Sequence, residues 1–473
     1  MTAEWGKITA EEIVKPIKGE LTSGRAGSVF KGISTDTRKI LPGQLFLALR
    51  GEKYDGHDFL ENALGNGASG IIVEKDRGPK ISVNSDIAVI VVSDTLKALG
   101  DMANWWRNQH NVTLAAITGS VGKTTTKEMA AKILELNAKT LKNKGNLNNL
   151  IGLPLTLLRL EKGHQKAIVE MGMNKPGEIG RLTEISDPNI GIITNIAKAH
   201  LEGVGDIMGV VRAKVELMEK ISPAGRLVLY GDDDLLMKEA LRFQREIITY
   251  GIRPNNDISA GKIKNLGYEG TSFELQYHGH TVPVRLQVPG RMNLINALAA
   301  CAIAICMKEP FDNISIGLNK FDGIKGRFRP IALTGDILLV DDTYNSNPSS
   351  LKAAFDSLKE MAVGRRRLIV GLGEMMELGK ATISAHQEAG GMVADAGASH
   401  FLAMGDHARE MIVGALKKGF PPEKAVETKS HREMVQKIEA LIKQGDLILL
   451  KGSRKMGLDK VFLKLKERFS KEG

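Results

Sequence analysis

One stretch constrains this chain more than any other: Leu114-Ala-Ala-Ile-Thr-Gly-Ser-Val-Gly-Lys-Thr-Thr-Thr126. Leu114 to Ile117 form a short apolar run that reads as a buried strand. Glu128, Met129, Ala130, Ala131, Ile133 and Leu134 follow with helical spacing. Between them stand Gly119 and Gly122, residues that let a backbone bend tightly around a ligand. Strand, glycine turn and helix make the setting a phosphate-binding loop requires. Backbone N–H groups at the helix start point at an anion, and the helix dipole adds positive potential there. The residues expected to bind nucleotide are therefore Gly119, Ser120, Val121, Gly122, Lys123, Thr124 and Thr125. Lys123 is expected on the terminal phosphates and Thr124 on Mg²⁺. The loop is a shortened form of the usual motif, because Ile117 stands where its first glycine would be.

A chain of 473 residues has room for two to four domains. Its 42% hydrophobic and 25% charged content match a soluble globular protein. Met1 to Lys15 carries acids at Glu4, Glu11 and Glu12 and no apolar core, so a signal peptide is not expected. No apolar run approaches the ~18 residues a bilayer span needs. Cys301 and Cys306 sit in an apolar helical stretch and suit core positions. With no disulfide framework, the cytoplasm is the expected compartment. The net charge of +10 attracts anions. A solvated basic surface accounts for it as well as a functional patch does, and no nucleic-acid-binding motif accompanies it.

Before the glycine loop, Thr9-Ala-Glu-Glu12 reads as a capping box. Strands are expected at 45–49, 70–74 and 87–92, and a helix runs through Trp105 and Trp106. This α/β segment ends near Asn111 and reads as a small separate domain. After the loop helix, Asn143-Lys-Gly-Asn-Leu-Asn-Asn149 is either a turn cluster or a loop rich in donors and acceptors. Strands at 167–169 and 189–194 end in Glu170 and, six residues beyond the second, His200. Ligands of open parallel sheets bind outside the carboxyl ends of strands, so both residues belong to the edge that carries the phosphate loop. One carboxylate and one imidazole without a thiolate suit Mg²⁺ or Mn²⁺ better than zinc. Lys214 lies on a helix between Arg212 and Glu216 and is not singled out by its surroundings. The stretches 258–263, 272–276 and 281–286 read as antiparallel strands, and Asn293 and Asn296 share one helical face. Gly323 to Pro330 reads as a linker. Beyond it a strand at 336–340 and regular βα alternation predict a doubly wound unit, with Gly371-Leu-Gly-Glu374 and Lys451-Gly-Ser-Arg-Lys455 at its binding edge.

Taken together, Ser34-Thr-Asp-Thr-Arg38, the T-G-S-V-G-K-T-T loop, Asn146 to Asn149, Glu170-Met-Gly172, His200-Leu-Glu-Gly203, Arg212-Ala-Lys214, Asn293/Asn296, Gly326-Arg327 and Asp342-Thr-Tyr-Asn-Ser-Asn-Pro348 resemble the Mur ligase family. These are ATP-dependent amide-forming enzymes of peptidoglycan precursor assembly. The resemblance spans nearly the whole chain. It implies three α/β domains: a small N-terminal one (1–111), a central P-loop ATPase-type parallel sheet (112–328) and a C-terminal Rossmann-like one (329–473). Asp342 to Pro348 and Gly373 to Gly379 most resemble the members that add D-alanyl-D-alanine. The implied substrates are UDP-N-acetylmuramoyl-tripeptide, D-alanyl-D-alanine and ATP with Mg²⁺; nucleic-acid binding and membrane insertion are not expected, and a monomer is. By the same resemblance Ser34, Thr35, Asp36, Arg38, His57, Asn146 and Asn149 would hold the nucleotide precursor. Thr124, Glu170, His200 and a carbamylated Lys214 would serve metal. Asn296, Arg327 and Asp342 would contact ATP, and Tyr344, Asn345 and Asn347 would lie near the dipeptide. Lys123, His200, Lys214 and Arg327 are the expected catalytic set. Met292 and Gly231 depart from the family pattern, which has His and Asn there in many members. Sister ligases with other acceptors, a P-loop switch and a basic nucleic-acid-binding protein are the competing readings.

Overall fold

The computed structural model describes Trp5 and residues 7–78, 85–199, 201–361 and 366–470. His200 and Arg365 lie outside the described residues. Three sheets organise the chain. The first has five strands in the spatial order Glu20–Ser23, Ala88–Val92, Gly70–Glu74, Leu45–Leu47 and Ile33–Ser34, parallel except at the Glu20–Ser23 edge. The expected capping box at Thr9 and Glu12 is present.

The central sheet has nine strands. Thr113–Thr118 lies between Lys166–Glu170 on one side and Ile190–Ile193 on the other, all parallel. The chain therefore leaves the strand before the glycine loop in both directions, and that point is the topological switch where open α/β sheets bind ligands. Thr140–Lys142 forms one edge. Ile258–Asn265, Thr271–Tyr277 and His280–Leu286 close the other as the antiparallel ribbon expected from sequence. Helix Arg291–Cys306 is apolar all round and almost wholly buried, as a helix without a polar face must be. Cys301 and Cys306 are core residues there, and burial raises their thiol pKa values.

The first sheet and the central sheet share one apolar core. Helix Thr95–Asn108, capped by Asp94, carries Trp106 into it. The Trp5 and Trp106 indole N–H groups donate to the carbonyls of Leu158 and Leu160 at 3.0 and 3.1 Å. Buried Arg107 bonds the carbonyls of Ser186 and Val112. Two helices that the sequence reading did not single out, Gly152–Leu157 and Glu178–Ser186, contribute to this interface.

The third sheet has six strands in the order Arg329–Ala332, Leu338–Asp342, Leu447–Lys451, Leu368–Gly373, His400–Met404 and Ala425–Thr428, with cores of its own on both faces. All neighbours are parallel except the Arg329–Ala332 edge strand. Two expectations shift here. The strand placed at 336–340 runs from Leu338 to Asp342, so both aspartates belong to it, and the end of the expected linker, Arg329 and Pro330, begins the edge strand. Contacts bring this unit against the central one: Glu202 N–H donates to Glu377 O at 3.2 Å, and Arg291 N–H donates to the Glu360 carboxylate at 2.9 Å. No helix is long and apolar enough to cross a membrane among the described residues.

Candidate active site

The carboxyl ends of the central and third sheets face one cleft of about 790 Å³. The glycine loop forms its floor. Gly119 has φ +142° and Gly122 φ +90°, values that favour glycine. Space requires glycine too: a Cβ at 119 would lie 1.9 Å from Thr194 Oγ1, and one at 122 would lie 2.2 Å from Asn296 Oδ1. The neighbouring strand end clamps the loop. Ser120 Oγ donates to Ala197 O at 2.8 Å, Val121 N–H donates to Asn195 Oδ1 at 3.0 Å, and Thr194 Oγ1 donates to Val121 O at 2.7 Å. Helix Lys123–Leu134 makes its first i to i−4 bond from Thr126 N–H to Gly122 O. The amides ahead of it form an anion-binding terminus. Asn296, expected from sequence to reach the nucleotide, packs directly against Gly122.

Charge at this floor is unbalanced. Lys123 Nζ donates to Gly119 O at 2.7 Å, and Lys214 is fully buried with one long bond, 3.4 Å, to Thr118 Oγ1. Arg327 Nη2 donates to Thr124 Oγ1 at 3.3 Å from the far side of the cleft. Burial pushes the Lys214 amine well below the usual lysine range, and the nearby Lys123 ammonium pushes it further. Burial also lowers Lys123, with Glu170 opposing and Arg327 adding to the shift. Glu170 is the carboxylate that faces these cations, and it is 3% exposed. Lys123 and Arg327, with a lysine whose charge burial disfavours behind them, make a floor whose potential suits a nucleotide's phosphates.

Glu170 is held on all sides. Thr124 Oγ1 donates to Oε2 at 2.8 Å and Asn148 Nδ2 to Oε1 at 2.9 Å. Asn143 bonds both the N–H and the C=O of Glu170, and buried Lys127 donates to Asn143 O at 2.7 Å. A hydroxyl and one carboxylate open to the cleft suit a hard cation whose other ligands are phosphate oxygens and water. Among the described residues, no group of three or more His, Cys, Asp or Glu side chains forms a metal cluster.

The asparagine patch divides by role. Asn146 and Asn149 line the cleft, and Asn149 Oδ1 also accepts from the Ile151 and Gly152 amides. Asn143 and Asn148, not singled out from sequence, hold Glu170. On the third unit, Asp342 is bound to Lys451 Nζ at 2.7 Å and accepts from Phe328 N–H at 3.1 Å. Burial lowers the Lys451 ammonium, with Asp342 opposing. Tyr344, Asn345 and Asn347 line the cleft, as do Ser453, Arg454 and Lys455, and the buried Ser453 hydroxyl has no hydrogen-bond partner among the described residues. Asn347 also caps a helix through the Ser350 N–H.

The first unit's expected residues do not line this cleft. Ser34 Oγ bonds Asp36 within its own turn, and Asp36 forms a bidentate pair with exposed Arg38, which holds the Asp36 carboxyl well below the usual range. Thr35 is partly buried in that turn. His57, expected on the nucleotide precursor, lies within its own loop. Its ring is buried, with Nδ1 2.6 Å from Asp55 and Nε2 accepting from Glu74 N–H at 3.0 Å. It builds the loop around it. At Gly231, a Cβ would lie 1.9 Å from Asn256 Oδ1, and Asn256 Nδ2 donates to Asp232 at 2.8 Å. The Asn256 side chain, from another loop, thus occupies the space beside Gly231.

Comparisons with known proteins agree along the whole chain. Family models match in three places: the Mur ligase family catalytic domain over residues 29–107, the Mur ligase middle domain over 117–304, and the Mur ligase glutamate ligase domain over 326–454. A UDP-N-acetylmuramoyl-tripeptide--D-alanyl-D-alanine ligase of Escherichia coli is 35% identical over 465 residues, covering 97% of this chain and 98% of that one. The Bacillus subtilis protein of the same name is 32% identical over 456 residues, covering 96% and 97%. A crystal structure of MurF from Acinetobacter baumannii superposes with a TM-score of 0.88 at 32% identity, covering 98% of this chain and all 100% of that one. MurF ligase from Thermotoga maritima in complex with ADP gives 0.81 at 26% identity, covering 92% and 97%. With full-length relatives, matching folds and a phosphate loop set among two lysines and an arginine, the chain belongs to the Mur ligase family.

Proposed function

We propose that this chain is an ATP-dependent, ADP-forming ligase that adds D-alanyl-D-alanine to UDP-N-acetylmuramoyl-tripeptide in the cytoplasm, as a monomer. Residues 1–111 hold the uridine end of the precursor, 112–328 hold ATP, and 329–473 receive the dipeptide. The observation that carries the reading is the gathering of Lys123, Lys214 and Arg327 at the mouth of the glycine loop, the two lysines facing Glu170 and the arginine reaching the Thr124 hydroxyl that also binds Glu170. The curated relatives matched above carry this activity in their names over nearly the full length of the chain.

A carboxylate acylates poorly because oxide is its leaving group. The precursor's terminal carboxylate oxygen attacks the γ-phosphorus of ATP, the bond to the β-γ bridging oxygen breaks, and ADP leaves. The dipeptide amine then attacks the acyl carbon of the acyl phosphate, inorganic phosphate leaves, and the amine gives up its proton. The first step brings anion to anion, so Lys123, Arg327 and the loop amides screen repulsion and stabilise spreading charge. Thr124 and Glu170 would hold Mg²⁺, with His200 and Lys214 serving a second metal site; the ion neutralises triphosphate charge. Asn148 and Asn143 keep Glu170 aimed. Asn296 orders the loop from behind. Arg454 and Lys455 suit the free carboxylate of the acceptor. Because Arg327 belongs to the connection into the third unit, closure of that unit assembles the site.

The test is ADP release with UDP-N-acetylmuramoyl-tripeptide and a panel of amines. Turnover requires both precursor and D-alanyl-D-alanine. ATP hydrolysis indifferent to both co-substrates, or equal turnover with single amino acids, overturns the assignment.

A further inference from the structure

The ring of Tyr344 does something that proximity to a dipeptide does not require. The Arg327 guanidinium carbon lies 4.0 Å from the ring centroid, and the Arg454 guanidinium carbon lies 5.5 Å from it. Arg327 has no carboxylate partner among the described residues; its polar contact is Thr124 Oγ1 across the cleft, at 3.3 Å. The Tyr344 hydroxyl makes no hydrogen bond among the described residues, so the π face is the part in use. The backbone reinforces the grip. Tyr344 N–H donates to Gly326 O at 3.0 Å, and Gly326 N–H donates to buried Asp341 Oδ2 at 2.7 Å. Gly326 has φ +76° and comes so close that a Cβ there would lie 3.0 Å from Tyr344 Cβ.

We infer that Tyr344 is a positioning residue for Arg327: its ring holds the guanidinium, by cation–π attraction, where that group meets the phosphate end of the glycine loop. The inference rests on the function proposed above and deepens it. A long arginine side chain loses conformational freedom when it is aimed, and a ring beneath it limits that loss to one arrangement. Tyr344 thus acts on phosphoryl transfer through Arg327, not through contact with the acceptor.

The experiment compares Tyr344→Phe, Tyr344→Trp and Tyr344→Leu, alone and combined with Arg327→Ala. Steady-state ADP release gives kcat and the dipeptide KM. Phe and Trp keep a π face and are expected to retain kcat within about threefold, since removal of an unpaired hydroxyl costs little. Leu is expected to lower kcat about 5- to 30-fold, the span of a partly desolvated cation–π contact, with the dipeptide KM unchanged. In the Arg327→Ala background, Leu at 344 is expected to add no further loss. Thermal unfolding checks that each variant is folded, and Tyr344→Met replaces the leucine variant if that one melts at assay temperature. A raised dipeptide KM at constant kcat, or a full effect of Leu in the Arg327→Ala background, overturns the inference. If the wild type turns over a different amine, the assigned acceptor falls and the same cycle is run with that amine. If it shows no ligase turnover, the proposed function fails, and the coupling between 344 and 327 is read in the affinity for a non-hydrolysable ATP analogue.

Discussion

Replacing Lys214 tests the most unusual chemical feature of the cleft. An ordinary lysine, with pKa near 10.4, is uncharged about one time in a thousand at pH 7.4. Only the uncharged amine can take up carbon dioxide to form a carbamate. Lys214 is fully buried, its one hydrogen-bond partner among the described residues is a hydroxyl at 3.4 Å, and the Lys123 ammonium adds to the burial that pushes its pKa far down. Each unit of that depression raises the uncharged fraction tenfold, up to about a thousandfold in all. That uncharged amine is the form that carbamylation of Lys214 would require. The carbamate reverses the sign of the group, so that two anions instead of one face Lys123 and the metal. As pH falls through the depressed pKa, the amine is protonated and the carbamate is lost, so activity falls on the acid side. Lys214→Ala is expected to lower activity about 10- to 100-fold, the cost of losing an anionic group that orients a metal. A short carboxylic acid that fills the space is expected to restore part of it. Carbon-13 bicarbonate labelling reads the modification directly. A carbamate resonance in the wild type that vanishes in Lys214→Ala is expected. Full activity of that variant, or an unchanged resonance, refutes the reasoning.

Three further outcomes follow from the geometry. Asn148→Ala frees one oxygen of Glu170 and is expected to raise the Mg²⁺ concentration for half-maximal ADP release about 10- to 100-fold, while the acceptor KM stays put. Gly122→Ala places a Cβ 2.2 Å from Asn296 Oδ1 at φ +90°, so nucleotide titration is expected to show weakened binding, with about 1–2 kcal/mol of backbone strain visible in thermal unfolding. Trp5→Ala is expected to cost about 3–5 kcal/mol, and because Trp5 belongs to the core shared by the first two units, calorimetry should show their joint transition falling while that of the third unit stays in place.

What the sequence revealed and what it concealed follow from the distance over which each feature is built. The glycine loop was legible because strand, turn and helix are consecutive, and its two glycines are needed locally. The antiparallel ribbon was legible from alternation. The asparagines between 143 and 149 carry the same chemistry, and only the fold sends Asn143 and Asn148 to Glu170 while Asn149 binds the Gly152 amide. Nothing near His57 in sequence shows that the partner of its Nε2 is the Glu74 amide, at the end of a strand seventeen residues on. Lys214 carries no local signal, since exposed Arg212 and partly buried Glu216 flank it on the same helix; its isolation comes from packing beneath Thr118. The pairing of Asp342 with Lys451 joins adjacent strands that are remote along the chain.

The central claim is that the cleft grips a nucleotide's phosphates so that an acid becomes reactive toward an amine. Labelling the precursor's terminal carboxylate with heavy oxygen tests it most directly. Activation through an acyl phosphate carries one labelled oxygen into each inorganic phosphate released, with both precursor and dipeptide present, and Lys123→Ala stops its appearance. Phosphate released without label, or at an undiminished rate by Lys123→Ala, would contradict the account.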